Sequence, residues 1–529
     1  MTRVSDRETR RSAAGIAGKA VAALLWILGL ACVAPVIAAL AGCFWHEGAP
    51  STAHFAAAFA DIAGTARLLL NSGVVTLGAV LVALVLGVPM GFLCFRTDLP
   101  FRRVIIVGAL VAACVPVYVT ATCWMALFGM RFWLYSPCGA AWIHGLACTP
   151  LVVLITGACF ATVDRSQEEA AALHTGAAGI FRHVSLPHAA WSMAAAAMVV
   201  AVLCLADITV TDVLVVRTFA EEVFTQFQLG AGPERAAAVS FPVVFLLAAL
   251  AAALRRKLRD YGEAAVYGTG PAPAPLPLGA KRLPIALAVG CIVAAFLVVP
   301  VGSLLRTVGS CESLLTSFRA SDRELLGTLR VTPIAASVCV VLAAGAARAA
   351  VKSRMARWPI TVLAVLLVAV PAPIVGIGLI KVLNRPGPLG AIYDSQAVLV
   401  AAYVIRTLPF AFLVILPAVK RIPRELDDQL ALAGGGLFHK VTCVLAPFCW
   451  KAIAVAWLLA FVLSLAETGA SFLVVPPGRT TLTIRFLTLI HYGVYPDAAG
   501  ICLLLLAVVA VAALGIGGLL WPAMKDRFA

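Results

Sequence analysis

Runs of about twenty apolar residues recur along the whole 529-residue chain, and nothing else narrows its fold so far. A backbone placed in hydrocarbon must satisfy its own N–H and C=O groups, which leaves helices or closed barrels. Runs of roughly 18 or more apolar residues read as spanning helices. Twelve are predicted, over 19–44, 68–94, 104–128, 141–162, 190–213, 237–254, 284–305, 326–347, 358–381, 396–418, 450–475 and 499–521. With 62% hydrophobic residues, 12% charged and a mean hydropathy of +1.01, a soluble globular chain is excluded. The abundant Gly (42) and Pro (30) suit packed, kinked membrane helices. The expected fold class is an all-α polytopic membrane protein.

A net charge of +15 would suit nucleic acid, but its distribution argues otherwise. With the N-terminus inside, 27 of the 40 Lys and Arg residues fall on the cytoplasmic side, from Arg3, Arg7 and Arg10 to Lys525 and Arg527. That is the positive-inside bias of a multi-pass protein with both termini cytoplasmic. No nucleic-acid partner is expected; the immediate partner is membrane lipid. The fifteen cysteines sit mostly in apolar segments and form no Cys-x-x-Cys pair, so they read as small hydrophobes. Leu40-Ala41-Gly42-Cys43 has the look of a lipoprotein processing box, but the apolar run before it exceeds a signal core of about 7–15 residues. An uncleaved first helix is expected.

The chain divides at a Pro/Gly-rich tract. Residues 1–18 form a tail, 19–254 a first transmembrane domain, 255–283 a cytoplasmic linker, 284–522 a second transmembrane domain and 523–529 a second tail. The linker, with Pro-Ala-Pro-Ala-Pro-Leu-Pro at 271–277, reads as a spacer. The halves repeat. Leu205-Ala206-Asp207 matches Leu465-Ala466-Glu467, and Pro187 matches Pro447, all at a spacing of 260. Two tandem six-helix bundles of like orientation are expected around a shared pathway.

Each half also carries a polar loop wedged between apolar segments. The first runs from Glu168-Glu169-Ala170-Ala171 through Thr175-Gly176 to Leu186-Pro187. The second runs from Asp427-Asp428-Gln429 through Gly434 to Ala446-Pro447. Acidic residues favour the positive end of a short helix, the glycine releases the chain, and the proline opens the next helix. A short helix held along the membrane surface can act as a lever on the bundle.

This loop resembles the EAA motif of ABC-importer permeases, in which it is the coupling helix that docks on a cytoplasmic ATPase. The resemblance spans essentially the whole chain, once per half. It implies coupling contacts at Glu169, Ala170, Ala171, Gly176 and Pro187, and at Asp428, Gly434 and Pro447. The first copy keeps Glu-Ala-Ala but reaches its proline one residue early; the second keeps the spacing but has Asp428-Gln429-Leu430. The stretches Asp207–Asp212, Val216–Gln226 and Val475–Gly493 resemble fused ferric-iron-type permeases. That likeness implies iron(III) import from a periplasmic binding protein, driven by an ABC ATPase dimer that uses ATP and Mg, in a bacterial inner membrane. Thiamine and aminoethylphosphonate importers share the fused layout. No Walker A pattern occurs, so this chain is expected to hold no cofactor and to hydrolyse no ATP itself.

Asp207 and Glu467 stand out as ionisable groups in apolar helices, facing one another across the expected pseudo-twofold. A translocation or gating role and a plain hydrogen-bonding role in helix packing both fit. Asp212 is expected near the outer surface, with Glu221 and Glu222 in an outer loop where a binding protein could dock. Arg406, inside the tenth expected helix, needs a partner, and Glu467 is one option. No histidine pair has helical metal-ligand spacing, so no metal site is expected. The rival class is a twelve-helix, gradient-driven secondary transporter, suggested by Arg96-Thr97-Asp98 and Phe101-Arg102-Arg103. It leaves both polar loops unexplained.

Overall fold

The computed structural model describes residues 27, 29–129, 131–163, 165–249, 275–432 and 439–528. The first tail, most of the linker and Gly434 lie outside them. Among the described residues, helix dominates. The one sheet among them pairs two short strands, Trp45–His46 and Ala49–Pro50. Among the described residues, eight helices are long and apolar enough to cross a membrane, and two further pairs would qualify if each bent pair were one span. The protein is an all-α polytopic membrane protein.

The principal helices are α1 (Ile62–Arg96), α2 (Arg102–Ala113), α3 (Val117–Phe128), α4 (Pro137–Phe160), α5 (Arg165–Ala172), α6 (Leu186–Ala206), α7 (Phe219–Gln228) and α8 (Arg282–Val308). They continue as α9 (Asp322–Lys352), α10 (Arg354–Ala369), α11 (Ala372–Leu383), α12 (Ala397–Lys420), α13 (Arg424–Leu432), α14 (Ala446–Ala466), α15 (Leu482–His491) and α16 (Tyr495–Phe528).

Two expected straight spans are sharply broken. Residues 104–128 divide into α2 and α3, bent by 94°, because Pro116 takes an extended ψ of 137° and lacks the N–H that would continue the helix. Residues 358–381 divide into α10 and α11, bent by 108°, where Val370 turns extended (ψ 126°) just before Pro371. The expected spans 190–213 and 450–475 are shorter, ending at Ala206 and Ala466. Of the span expected over 19–44, the described helical part is 29–42, and of 237–254 it reaches 249.

The chain forms two compact units, and neither is one sequence half. One gathers the segment up to Gly42 with Leu326–Val370 and Ile374–Arg479. In it Val33, Val36 and Ala39 are buried, and Gly378 lies so close to the Pro35 carbonyl that a Cβ there would clash. The other gathers Cys43–Leu325, Pro371–Pro373 and Thr480–Ala529. Its centre is the pairing of α1 with α4, whose axes approach closely through glycine: a Cβ on Gly157 would run into the Phe95 ring. Small residues at such crossings let backbones meet where no hydrophobic force separates helix from lipid. Between α4 and α6, and between α12 and α14, the two units use helices of matching length, 24 then 21 residues.

Candidate functional site

The first polar loop is a folded object. Glu169, Ala170 and Ala171 lie on α5, with Glu169 and Ala170 exposed and Ala171 packed against an apolar cluster. Their neighbour Glu168 points the other way and is 4% exposed. It is held by the Arg96 guanidinium through Nε (3.0 Å to Oε1) and Nη2, and by the Ser185 hydroxyl, which donates over 3.3 Å. Arg96 ends α1 and is 2% exposed, so a buried ion pair ties the long helix to the loop. Gly176 accepts from Ile180 N–H (3.1 Å) at the start of a short helix, Ala177–Ile180. A π-turn over Phe181–Ser185 follows, and Pro187 sits in the first turn of α6, where a missing N–H costs nothing. Phe181 packs on Phe92 at 4.4 Å between ring centroids.

Sequence reasoning picked the exposed Glu169 but missed Arg96, Glu168 and Ser185 as one network. The available signal was an arginine closing a long apolar helix, which needs a partner if it stays buried. In the second loop, Asp428 lies on α13, Gly434 falls outside the described residues, and a π-turn (Lys440–Leu445) leads to Pro447 in the first turn of α14.

Asp207 and Glu467 sit where α6 and α14 end, not inside a helix, and a short helix follows each. Asp207 accepts from Val210 N–H (3.0 Å) and the Thr209 hydroxyl (2.7 Å), at the head of Thr209–Val213. Glu467 accepts from Ala470 N–H (2.9 Å), at the head of Ser471–Val474. Both carboxylates accept from the amide three residues on, within the turn that leaves the preceding helix. Their counter-groups differ. His144 Nε2, on α4 and 1% exposed, lies 3.7 Å from Asp207. Arg406, on α12, donates from Nε to Glu467 over 3.1 Å and from Nη1 to the Val370 carbonyl over 2.9 Å. The proposed Arg406–Glu467 pairing is therefore present. Asp207 and Glu467 belong to different units.

Asp212 pairs with His491 at the end of α15, 3.2 Å away. That carboxylate raises the imidazole pKa to about 9, outweighing the burial that opposes it. Glu222 is 5% exposed, ion-paired with Arg217 and accepting from Gln226 (2.8 Å), so it is a structural group of α7 more than a free docking residue. Glu221 is half-buried and accepts from the Thr225 hydroxyl; burial raises its pKa. Among the described residues, no group of three or more His, Cys, Asp or Glu side chains is arranged to hold a metal ion.

Against known proteins, no family profile matches the chain. A protein of Salmonella typhimurium (strain LT2), named as a 2-aminoethylphosphonate transport system permease protein, PhnV, is 28% identical over 140 residues. The match covers 26% of this chain and 52% of that protein, and a relative of the same name from Salmonella choleraesuis matches equally. A Streptomyces antibioticus protein named as an ABC transporter permease, ORF1, is 35% identical over 92 residues, 17% of this chain and 40% of its own. The chain thus spans about half the length of the curated relatives it matches, or less. These similarities support an ABC permease.

Proposed function

We propose that the chain is the membrane permease of a binding-protein-dependent ABC importer, with both transmembrane halves fused in one polypeptide. The observation that carries this reading is the first loop: a short helix presenting Glu169 outward while Glu168, one residue earlier, is locked underneath by Arg96. That is the construction a lever needs, an exposed outer face on a rigid footing. Similarity to a protein named as an ABC transporter permease and to proteins named as transport system permeases supports it. Among the described residues, counting each bent pair once gives up to ten crossings; in this reading the spans expected over 19–44 and 237–254 complete two six-helix repeats.

In this reading both loops face the cytoplasm of a bacterial inner membrane and dock a separate ATPase dimer, which binds the ATP and Mg. An extracytoplasmic binding protein delivers the solute to the opposite face. Motif likeness favours iron(III) as cargo; the PhnV match favours a 2-aminoethylphosphonate-type solute as a second reading.

Reconstitution with ATPase and binding protein in proteoliposomes tests the proposal. Solute-stimulated ATP hydrolysis should vanish in Glu169→Arg/Asp428→Arg. Gradient-driven uptake with no ATPase present would overturn it. Parallel uptake of labelled iron(III) and 2-aminoethylphosphonate separates the two cargo readings.

A further inference from the structure

The inter-half linker reads in the sequence as a spacer, yet its last residues are built into the footing of the first loop. Leu276 N–H donates to the Arg96 carbonyl (2.9 Å), and Asp98 N–H donates to the Leu276 carbonyl (3.1 Å). Thr97 and Leu276 thereby form a parallel bridge. Two residues on, Leu278 N–H donates to Asp98 Oδ1 (2.9 Å), while Arg282 Nη1 stands 3.8 Å from Asp98 Oδ2. The Leu276 side chain is 9% exposed and joins the apolar cluster of Phe92, Phe160 and Ile180, on which Ala171 and Phe181 of the loop also pack. Pro275 and Pro277 flank it, fixing φ and forbidding a helix, so Leu276 is presented from extended chain. Arg96 joins both sides: its carbonyl receives the linker and its guanidinium holds Glu168.

We infer that residues 275–278 are a strap that positions the first coupling loop, making the linker a working part of energy coupling. This rests on the ABC-permease reading for its consequence, though the strap itself can be tested without it. In the purified full-length chain, Leu276→Asp should speed amide exchange across 177–185 by about tenfold, since exchange reports local opening. Leu276→Met should restore wild-type protection, and 439–445 should be unchanged in both. Asp98→Ala, which removes two polar contacts and leaves the apolar cluster intact, should give a smaller change of the same sign. Unaltered exchange in both Leu276→Asp and Asp98→Ala would overturn the strap.

In proteoliposomes with ATPase and binding protein, Leu276→Asp should raise ATP hydrolysed per solute moved several-fold, with Leu276→Met near wild type. An unchanged ratio would remove the positioning role. If the wild-type complex showed no stimulated hydrolysis at all, the coupling reading would fail, and the exchange experiment would still decide the strap.

Discussion

The chain ends one helix at Asp207 and another, 260 residues later, at Glu467, and solves the backbone problem identically at both breaks. Each carboxylate accepts from the amide three residues ahead, so one backbone donor of the turn that leaves the helix is satisfied. The counter-group is where they part. Glu467 faces a guanidinium that is always charged and also grips the Val370 carbonyl at the bend between α10 and α11. Asp207 faces an imidazole at 3.7 Å, too far for a hydrogen bond. A shared backbone device has thus been given a permanent clamp in one unit and a loose contact in the other. Duplicated geometry does not imply duplicated electrostatics.

The largest effect should come from breaking the clamp. Arg406→Ala strands Glu467, 8% exposed, and should cost about 3–5 kcal/mol, seen as a lowered unfolding midpoint in detergent. The paired Arg406→Met/Glu467→Met change should recover much of that loss, because both charges go together. A midpoint unmoved by Arg406→Ala would mean that the clamp carries no weight. Next, Asp207→Ala removes the acceptor of the Val210 N–H and of the Thr209 hydroxyl without stranding a permanent charge, and about 1–2 kcal/mol is expected. If its loss equalled that of Arg406→Ala, the contrast between the breaks would collapse. His144→Gln should cost about 1 kcal/mol or less, since no hydrogen bond from Nε2 is lost.

The smallest effect is a titration. His491 has its pKa raised from 6.5 to about 9 by Asp212, so the folded state holds the proton more tightly than the unfolded chain. The stabilisation is fully present below about pH 6.5 and is lost as pH rises through about 9. Half-exposure of the ring keeps it modest. Amide protection of α15 should decline over that window, and the decline should be absent in His491→Gln. An identical pH response in both would assign it elsewhere.

Much of the fold was legible in the sequence, because long apolar runs leave few alternatives in hydrocarbon. Pro187 and Pro447, read as marks of re-entry, do open helices. The bends were not foreseen: apolar periodicity runs unbroken across Pro116 and Val370-Pro371, and proline inside α1, α4 and α12 is tolerated without such a break. Of the site, the exposed Glu169 could be picked by motif likeness. Its buried neighbour Glu168 could not, because the partner is Arg96, 72 residues away, and long-range ion pairs leave no local pattern. Asp207 and Glu467 were placed within helices; only the backbone shows that α6 and α14 end at them.

The make-up of the unit that holds residues 29–42 has a consequence for biosynthesis. That helix packs with segments that begin only at Leu326, so its neighbours do not exist when it leaves the ribosome. At about 5–20 residues per second, the delay is roughly 15–60 s. Throughout that interval Val33, Val36 and Ala39, buried in the finished protein, face lipid or an assembly factor. Because they share one chain, the late segments arrive tethered to the early one, in equal number and in the same patch of membrane.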